Sequence, residues 1–220
     1  GLCMQTHPSI GCVIMASGLS RRFGSNKLLT PFAGQPMLCR AFAATNTPLL
    51  AARIVVTRSA AVQKLCQAHG VPVLLHGLPF RSDTVRLGLT ALLELQPDLA
   101  GCMFLPGDQP LLRRESVNQL LTAFAQTQKE TERAIFRAGF PVSNDTGSLV
   151  GSPVLFGSGF FTELCTLPEG KGGNVLIKKY PAQVHTVCLA NREELLDADT
   201  PEALAQLEML ARQKGCIYSA

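Results

Sequence analysis

Residues 10–29 read IGCVIMASGLSRRFGSNKLL. The first seven, IGCVIMA, form an unbroken apolar run of strand length, bounded by Ser17-Gly18. That is the pattern of a strand buried on both faces. A loop follows: Gly18, Ser20, Gly24 and Asn26 interrupt any periodicity, and Arg21, Arg22 and Lys27 set three cations within seven residues. Backbone N–H groups of such a loop can wrap an anion. The stretch is not a P-loop, because no Gly-Lys-Ser/Thr opens a helix. It is not the dinucleotide fingerprint either, because the glycines are wrongly spaced and a Leu-Leu-x-Pro follows. A polyphosphate cradle is the chemical reading; a solvated basic loop is the plain alternative.

Outward from this strand, short apolar runs alternate with longer amphipathic ones. The pattern predicts helices over 36–47 (Pro36 in the first turn), 59–70 (capped by Ser59, stopped by Gly70), 83–95 and 114–127. It predicts strands over 53–57, 71–75 and 101–106. Residues 133–190 are less regular. RAIFRA, SLVGSPVLF and QVHTVCLA read as strands, with GFFTELCTL and GGNVLIKKY as helices between them. A final helix over 201–213 takes Thr200 as N-cap and Pro201 at N1. Alternation at this spacing gives a three-layer α/β/α fold with a doubly wound, mainly parallel sheet. No linker or repeat divides the chain, so one domain is expected. Its nucleotide-binding part spans 10–127 and its acceptor-binding part 128–220, with 1–9 outside the pattern.

Composition narrows the function. The 220 residues are 46% hydrophobic and 16% charged, a globular balance. Twenty Lys and Arg against 16 Asp and Glu give a net charge of +4, which suits an anionic small molecule. Nucleic acid is disfavoured: there is no Trp, only two Tyr, and no Lys/Arg block. No apolar run approaches the ~20 residues of a membrane span, and no secretory signal is read. None of the eight cysteines stands in a C-x-x-C pair. They read as reduced core thiols, so a cytoplasmic location is expected. The four histidines have no ligand spacing and receive no role.

In an open α/β sheet, ligands bind outside the carboxyl ends of strands. A second such end is MFLPGDQPLL (103–112), where Asp108 stands at a strand tip between Gly107 and Pro110. One carboxylate aimed at a phosphate site suits Mg²⁺, which takes one or two carboxylates plus substrate phosphates. A turn Asp bonding its own backbone is the bland reading.

Together the two loops resemble a family, the MobA-like nucleotidyltransferases related to molybdopterin guanylyl- and cytidylyltransferases. The signature A-x-G-x-S-x-R-x-G-x-x-K is matched by Ala16, Gly18, Ser20, Arg22, Gly24 and Lys27. Gly-Asp-x-Pro falls on Gly107 to Pro110, Gly-x-Pro-Val-Leu-Phe on 151–156, and Asp-x-Asp-Thr-Pro-Glu-x-Leu on 197–204. The motifs occur in order and cover nearly the whole chain. Gly107-Asp108-Gln109-Pro110 and the 196–204 segment are closer to the cytidylyl branch, and PEGKGGNVLIKKYP (168–181) resembles relatives associated with molybdenum hydroxylase maturation.

The resemblance implies a GT-A-like fold and transfer of CMP from CTP to the phosphate of molybdopterin or the molybdenum cofactor. Pyrophosphate leaves, and the cytosine dinucleotide product serves a molybdenum hydroxylase. It makes Arg22, Lys27 and Asp108 catalytic, with Mg²⁺ (or Mn²⁺) on Asp108 and Asp199; Asp197 is the alternative second ligand. Ala16, Ser17, Gly18, Ser20, Arg22, Gly24, Lys27, Gly88 and Gly107 would bind nucleotide. Arg81 and Thr84 either touch base or ribose or serve a helix start. The acceptor would meet Ser152, Pro153, Lys171, Gly172 and Gly173. Ser152 replaces the family's usual His, and 169–174 matches its Gly-Asp-x-Gly-x-Arg segment only loosely, which bears on the acceptor. The alternatives are GTP in place of CTP, a sugar-phosphate or isoprenoid-precursor nucleotidyltransferase, and a non-catalytic cofactor carrier for a hydroxylase.

Overall fold

The computed structural model describes residues 7–18, 26–127, 131–142 and 148–215. Its centre is a seven-stranded sheet. In chain order the strands are β1 (Ile10–Ala16), β4 (Ala52–Thr57), β5 (Val73–Leu75), β6 (Gly101–Pro106), β7 (Ile135–Pro141), β8 (Ser148–Gly157) and β9 (Val184–Cys188). A small antiparallel hairpin, β2 (Pro31–Phe32) with β3 (Gln35–Pro36), stands apart from it. The order across the large sheet is β5-β4-β1-β6-β8-β7-β9. β5, β4, β1 and β6 are parallel neighbours, β8 runs antiparallel to both β6 and β7, and β9 is parallel to β7. The mainly parallel α/β sheet expected from the alternating runs is therefore present, with one strand reversed.

Helices cover both faces. On one side lie α1 (Leu38–Thr45), α2 (Ala60–Ala68), α4 (Arg114–Ala125) and α7 (Pro201–Lys214); on the other lie α3 (Arg81–Leu95), α5 (Phe161–Leu164) and α6 (Asn174–Lys179). β1 shows how the sequence divides itself between them. Ile10, Cys12 and Ile14 enter the first core, while Val13 enters the second. Strand side chains alternate across the sheet, so a run apolar at every position is what a strand covered twice requires.

Local chemistry fixes several boundaries. Ser59 accepts a hydrogen bond from the Val62 N–H and Thr200 from the Ala203 N–H, so both caps act as expected. Pro36 departs from expectation. It lies in β3 opposite Pro31, and α1 starts only at Leu38. The cause is the Ala33-Gly34 turn, with φ of 51° and 85°. Two successive left-handed residues make the tight turn that returns a hairpin, and the chain is still extended when it reaches Pro36.

Gly88 has a clear packing role. A Cβ there would stand 2.6 Å from Val13 Cγ1 and 2.9 Å from Val56 Cγ2. The glycine lets α3 sit close on β1 and β4. Cys12, Cys39, Cys66, Cys102, Cys165 and Cys188 are all free thiols. Burial pushes the Cys12 thiol up to about 12, so it packs as a small apolar group. No helix among the described residues is long and apolar enough to cross a membrane.

Candidate active site

β1 and β6 are neighbours, with Met15 opposite Pro106, so the loops that leave their carboxyl ends emerge side by side. The Gly107 N–H donates to Met15 O (3.0 Å), which stitches the loops at their roots. A Cβ at Gly107 would meet Leu38 Cδ1 at 3.0 Å and Met15 O at 3.3 Å. This glycine brings the two loops together, and it lines neither of the cavities described below. The next residue, Asp108, accepts through its backbone oxygen from the Ala198 N–H (2.9 Å). That bond draws the segment carrying Asp197 and Asp199 against the tip of β6.

Lys27 completes the cluster. Asn26 caps the short turn Lys27–Leu29 by accepting from the Leu28 N–H. From that turn the Lys27 Nζ reaches Asp108 Oδ2 at 2.6 Å and Asp199 Oδ1 at 3.4 Å. Burial alone would lower the lysine. The hydrogen bond and charge of Asp108, with those of Asp199, outweigh it and hold the ammonium above its ordinary pKa. Asp197 shows the other side of the crowding. Its carboxyl is pushed up to about 6, first by partial burial and then by the charges of Asp108 and Asp199, against the opposing pull of Lys27 and Arg81.

This donor set suits a hard divalent cation. Asp108 and Asp199 converge on one ammonium, and carboxylate oxygens match Mg²⁺ or Mn²⁺. No group of three or more His, Cys, Asp or Glu among the described residues is arranged to hold a metal alone. Two carboxylates completed by substrate phosphates is thus the arrangement these residues fit.

A cavity of about 480 Å³ opens beside the cluster. Ala16, Ser17, Gly18, Lys27, Arg81, Thr84 and Asp108 line it; Gly88 and Gly107, expected with the nucleotide residues, do not. Ser20, Arg22 and Gly24 lie outside the described residues. Thr84 is 2% exposed, and its buried Oγ1 has no hydrogen-bond partner. Leu78 and Phe80, both exposed, add an apolar rim that the sequence reading passed over. Arg58 lines the same cavity and was also missed.

His76, which received no role, proves to be structural. Its Nδ1 accepts from the Leu78 N–H (3.1 Å), so Nε2 carries the proton and donates to Ser17 Oγ (2.9 Å). Ser17 in turn donates to Val56 O (3.2 Å). The imidazole pins the 76–80 loop to the end of β1. No sequence signal marks it, because the two partners are 59 residues apart.

A second cavity, of about 740 Å³, adjoins the first. Met15, Arg81 and Pro106 line both. Ser152, Lys171, Gly172 and Gly173 also line the larger one, while Pro153 is buried behind the wall, joined to Ser152 by a cis peptide bond. Gly170 has a φ of 75°, which only glycine adopts without strain. Gly172 packs on Arg81, where a Cβ would lie 2.8 Å from Nε, and Gly173 packs on the Phe156 ring. Lys178 and Lys179 line this cavity too, and Lys179 is also paired with Glu163. Gln109 was missed. It is 4% exposed, and its Nε2 donates to both Ser152 O and Glu194 O at 3.0 Å. One amide therefore holds β8 and the loop before Asp197 to the Asp108 turn.

Fold and site together define a doubly wound α/β protein in which Lys27 meets Asp108 at the tip of β6 and Asp199 beside it. The model of the MobA-like NTP transferase domain matches residues 12–185, and the chain belongs to that nucleotidyltransferase family. Among curated proteins it is 30% identical over 109 residues to a 3-deoxy-manno-octulosonate cytidylyltransferase of Polynucleobacter asymbioticus. It is 26% identical over 116 residues to a probable molybdenum cofactor guanylyltransferase of Pyrococcus horikoshii. These matches cover 48% and 53% of this chain, and the chain spans 43% and 57% of those relatives' lengths. Among solved structures, a homologue of Mycobacterium tuberculosis rv0371c from Mycobacterium sp. strain JC1 superposes with a TM-score of 0.74 at 23% identity, covering 94% of this chain and 98% of that one. A CMP:2-keto-3-deoxy-manno-octonic acid synthetase complexed with CTP gives 0.70 at 14% identity, covering 96% and 100%. These structural likenesses concern the fold.

Proposed function

We propose that this protein transfers CMP from CTP to the phosphate of molybdopterin or the molybdenum cofactor. The observation that carries the reading is the Lys27–Asp108–Asp199 cluster, set where a nucleotide-sized cavity adjoins a basic one. The resemblance of 107–110 and 196–204 to the cytidylyl branch supports the base and the acceptor. The dinucleotide product would serve a molybdenum hydroxylase.

The chemistry is in-line displacement at phosphorus. An oxygen of the acceptor phosphate attacks the α-phosphorus, the bond from that phosphorus to the β-bridging oxygen breaks, and pyrophosphate leaves. No covalent intermediate with the protein is needed, so positioning and charge stabilisation supply the rate. Both substrates are anions, and cations must gather them. Lys27, freed from Asp108 as phosphates enter, moves its ammonium onto the leaving pyrophosphate, and the family resemblance gives Arg22 the same task. Arg81 lines both cavities and stands at the junction where acceptor and nucleotide meet. Lys171 holds the acceptor's phosphate until it attacks. Asp108 and Asp199 would hold Mg²⁺ or Mn²⁺, which supplies charge neutralisation to the α-phosphate. Asp197 is the alternative second carboxylate for the metal.

The guanylyltransferase relative favours one second reading, the same transfer with GTP. Pyrophosphate release from purified protein, molybdopterin, Mg²⁺ and each triphosphate in turn tests both. Release with CTP that requires molybdopterin is expected. Release with GTP alone selects the second reading, and release with neither points to a cofactor carrier.

A further inference from the structure

We propose that Arg137, with Lys178 and Asn174, forms an anion subsite at the far end of the acceptor cavity and takes a second anionic group of the acceptor, remote from the attacking oxygen. The proposal rests on the acceptor reading of that cavity. Three cavities follow one another. The nucleotide cavity joins the acceptor cavity through Met15, Arg81 and Pro106, and the acceptor cavity joins a third, of about 330 Å³, through Ser152, Val154, Asn174, Ile177 and Lys178. The first and third share no lining residue. A ligand that fills the middle therefore presents one end to Lys27 and Asp108 and the other to Arg137.

Arg137 is built into the sheet. It lies on β7 two residues after Ile135, on the face that carries α3, α5 and α6. The β7–β8 register shifts between Arg137 and Gly139, an irregularity of the kind that re-aims a side chain. The guanidinium Nε is buried and has no hydrogen-bond partner. An arginine donor in that state is costly unless something else pairs with it. The surroundings supply no carboxylate: none lines the middle or the third cavity among the described residues. Lys178 adds a second cation and Asn174 an amide donor, while Val150, Val154 and Ile177 give apolar walls that strengthen an ion contact. The planar fork of arginine matches a carboxylate or phosphate in two-point contact. The group held here is thus an anionic one other than the attacking phosphate, which on this acceptor is the dithiolene with or without its metal.

The test uses the full chain with a saturating non-cleavable α,β-methylene analogue of CTP and Mg²⁺, so that the nucleotide phosphates are already in place. Inorganic phosphate is then titrated by calorimetry. Arg137→Gln should weaken phosphate at least about 10-fold, the scale of one charge-assisted hydrogen bond. Arg137→Lys should stay closer to wild type, and the exposed Lys178→Gln, which leaves the fold intact, should weaken phosphate several-fold. Affinity for the CTP analogue should not change in any of them. Wild type that takes no phosphate, or phosphate affinity lost in Lys171→Ala but kept in both Arg137→Gln and Lys178→Gln, overturns the proposal. Because no molybdopterin is used, failure here is distinct from failure of the transfer reaction.

Discussion

Asp108 is the residue on which most of the site depends. Its side chain holds Lys27, and its backbone oxygen holds the segment bearing Asp199. Asp108→Asn keeps the shape and the backbone contact but removes the charge. Turnover should fall at least ~10²-fold, the scale of losing one transition-state charge stabiliser, while the melting temperature stays near wild type. Turnover near wild type with ordinary metal dependence would contradict the role given to it. Thr84 offers a complementary case. Its hydroxyl is buried and unsatisfied, which costs free energy until a ligand pairs with it. Thr84→Val should be neutral or stabilising by up to ~1 kcal/mol without nucleotide, and should weaken CTP about 10-fold. Calorimetry and a thermal melt on the same sample check both signs. A variant that is destabilised and binds CTP normally would make Thr84 a packing residue only. Asp108 was legible in the sequence because it stands beside Gly107 at a strand end, and Lys27 because it closes the A-x-G-x-S-x-R-x-G-x-x-K spacing. Gln109 and His76 were not, since their partners lie 43 to 85 and 59 residues away and nothing local marks such pairings.

At the scale of elements, α3 and the loop before it join the nucleotide cavity to the sheet. Gly88 sets the distance between α3 and β1. Gly88→Ala must push Val13 and Val56 aside, an overpacking that typically costs ~1–3 kcal/mol. A lowered melting temperature with unchanged CTP affinity per folded molecule is expected; a selective loss of CTP affinity would return Gly88 to the binding site. The loop 76–80 depends on His76 remaining neutral, because a protonated Nδ1 cannot accept from the Leu78 N–H. Burial, then Arg58, and more weakly Arg86, lower its pKa from the ordinary 6.5, against the pull of Asp83. The unfolded chain therefore takes up a proton first as pH falls. The stability His76 contributes is present above about 6.5 and is lost as pH drops towards the lowered folded value. An NMR titration should find the imidazole titrating below 6.5, with the Leu78 amide shifting in step. A value above 6.5 would contradict acceptance by Nδ1 from the Leu78 N–H.

Across the whole molecule, period and punctuation were enough to read the core. The helices capped by Ser59 and Thr200 and the doubly buried β1 follow from their own residues. The reversed β8 does not. Its apolar run reads the same in either direction, and its antiparallel pairing with β6 and β7 is settled by packing between distant segments. The start of α1 was misjudged for a local reason, the left-handed Ala33-Gly34 turn, which prolongs the extended chain through Pro36. The site divides in the same way. Lys27 and Asp108 were legible as motifs, whereas the cavity lined by Arg137 is formed by β7, β8 and α6 together and has no sequence signature. The most direct test supplies CTP and GTP at equal concentration with molybdopterin and Mg²⁺ and identifies the product by mass. Cytosine dinucleotide should dominate, formed one for one with pyrophosphate and abolished by Asp108→Asn; guanine dinucleotide as the main product, or no dinucleotide at all, would contradict the assignment.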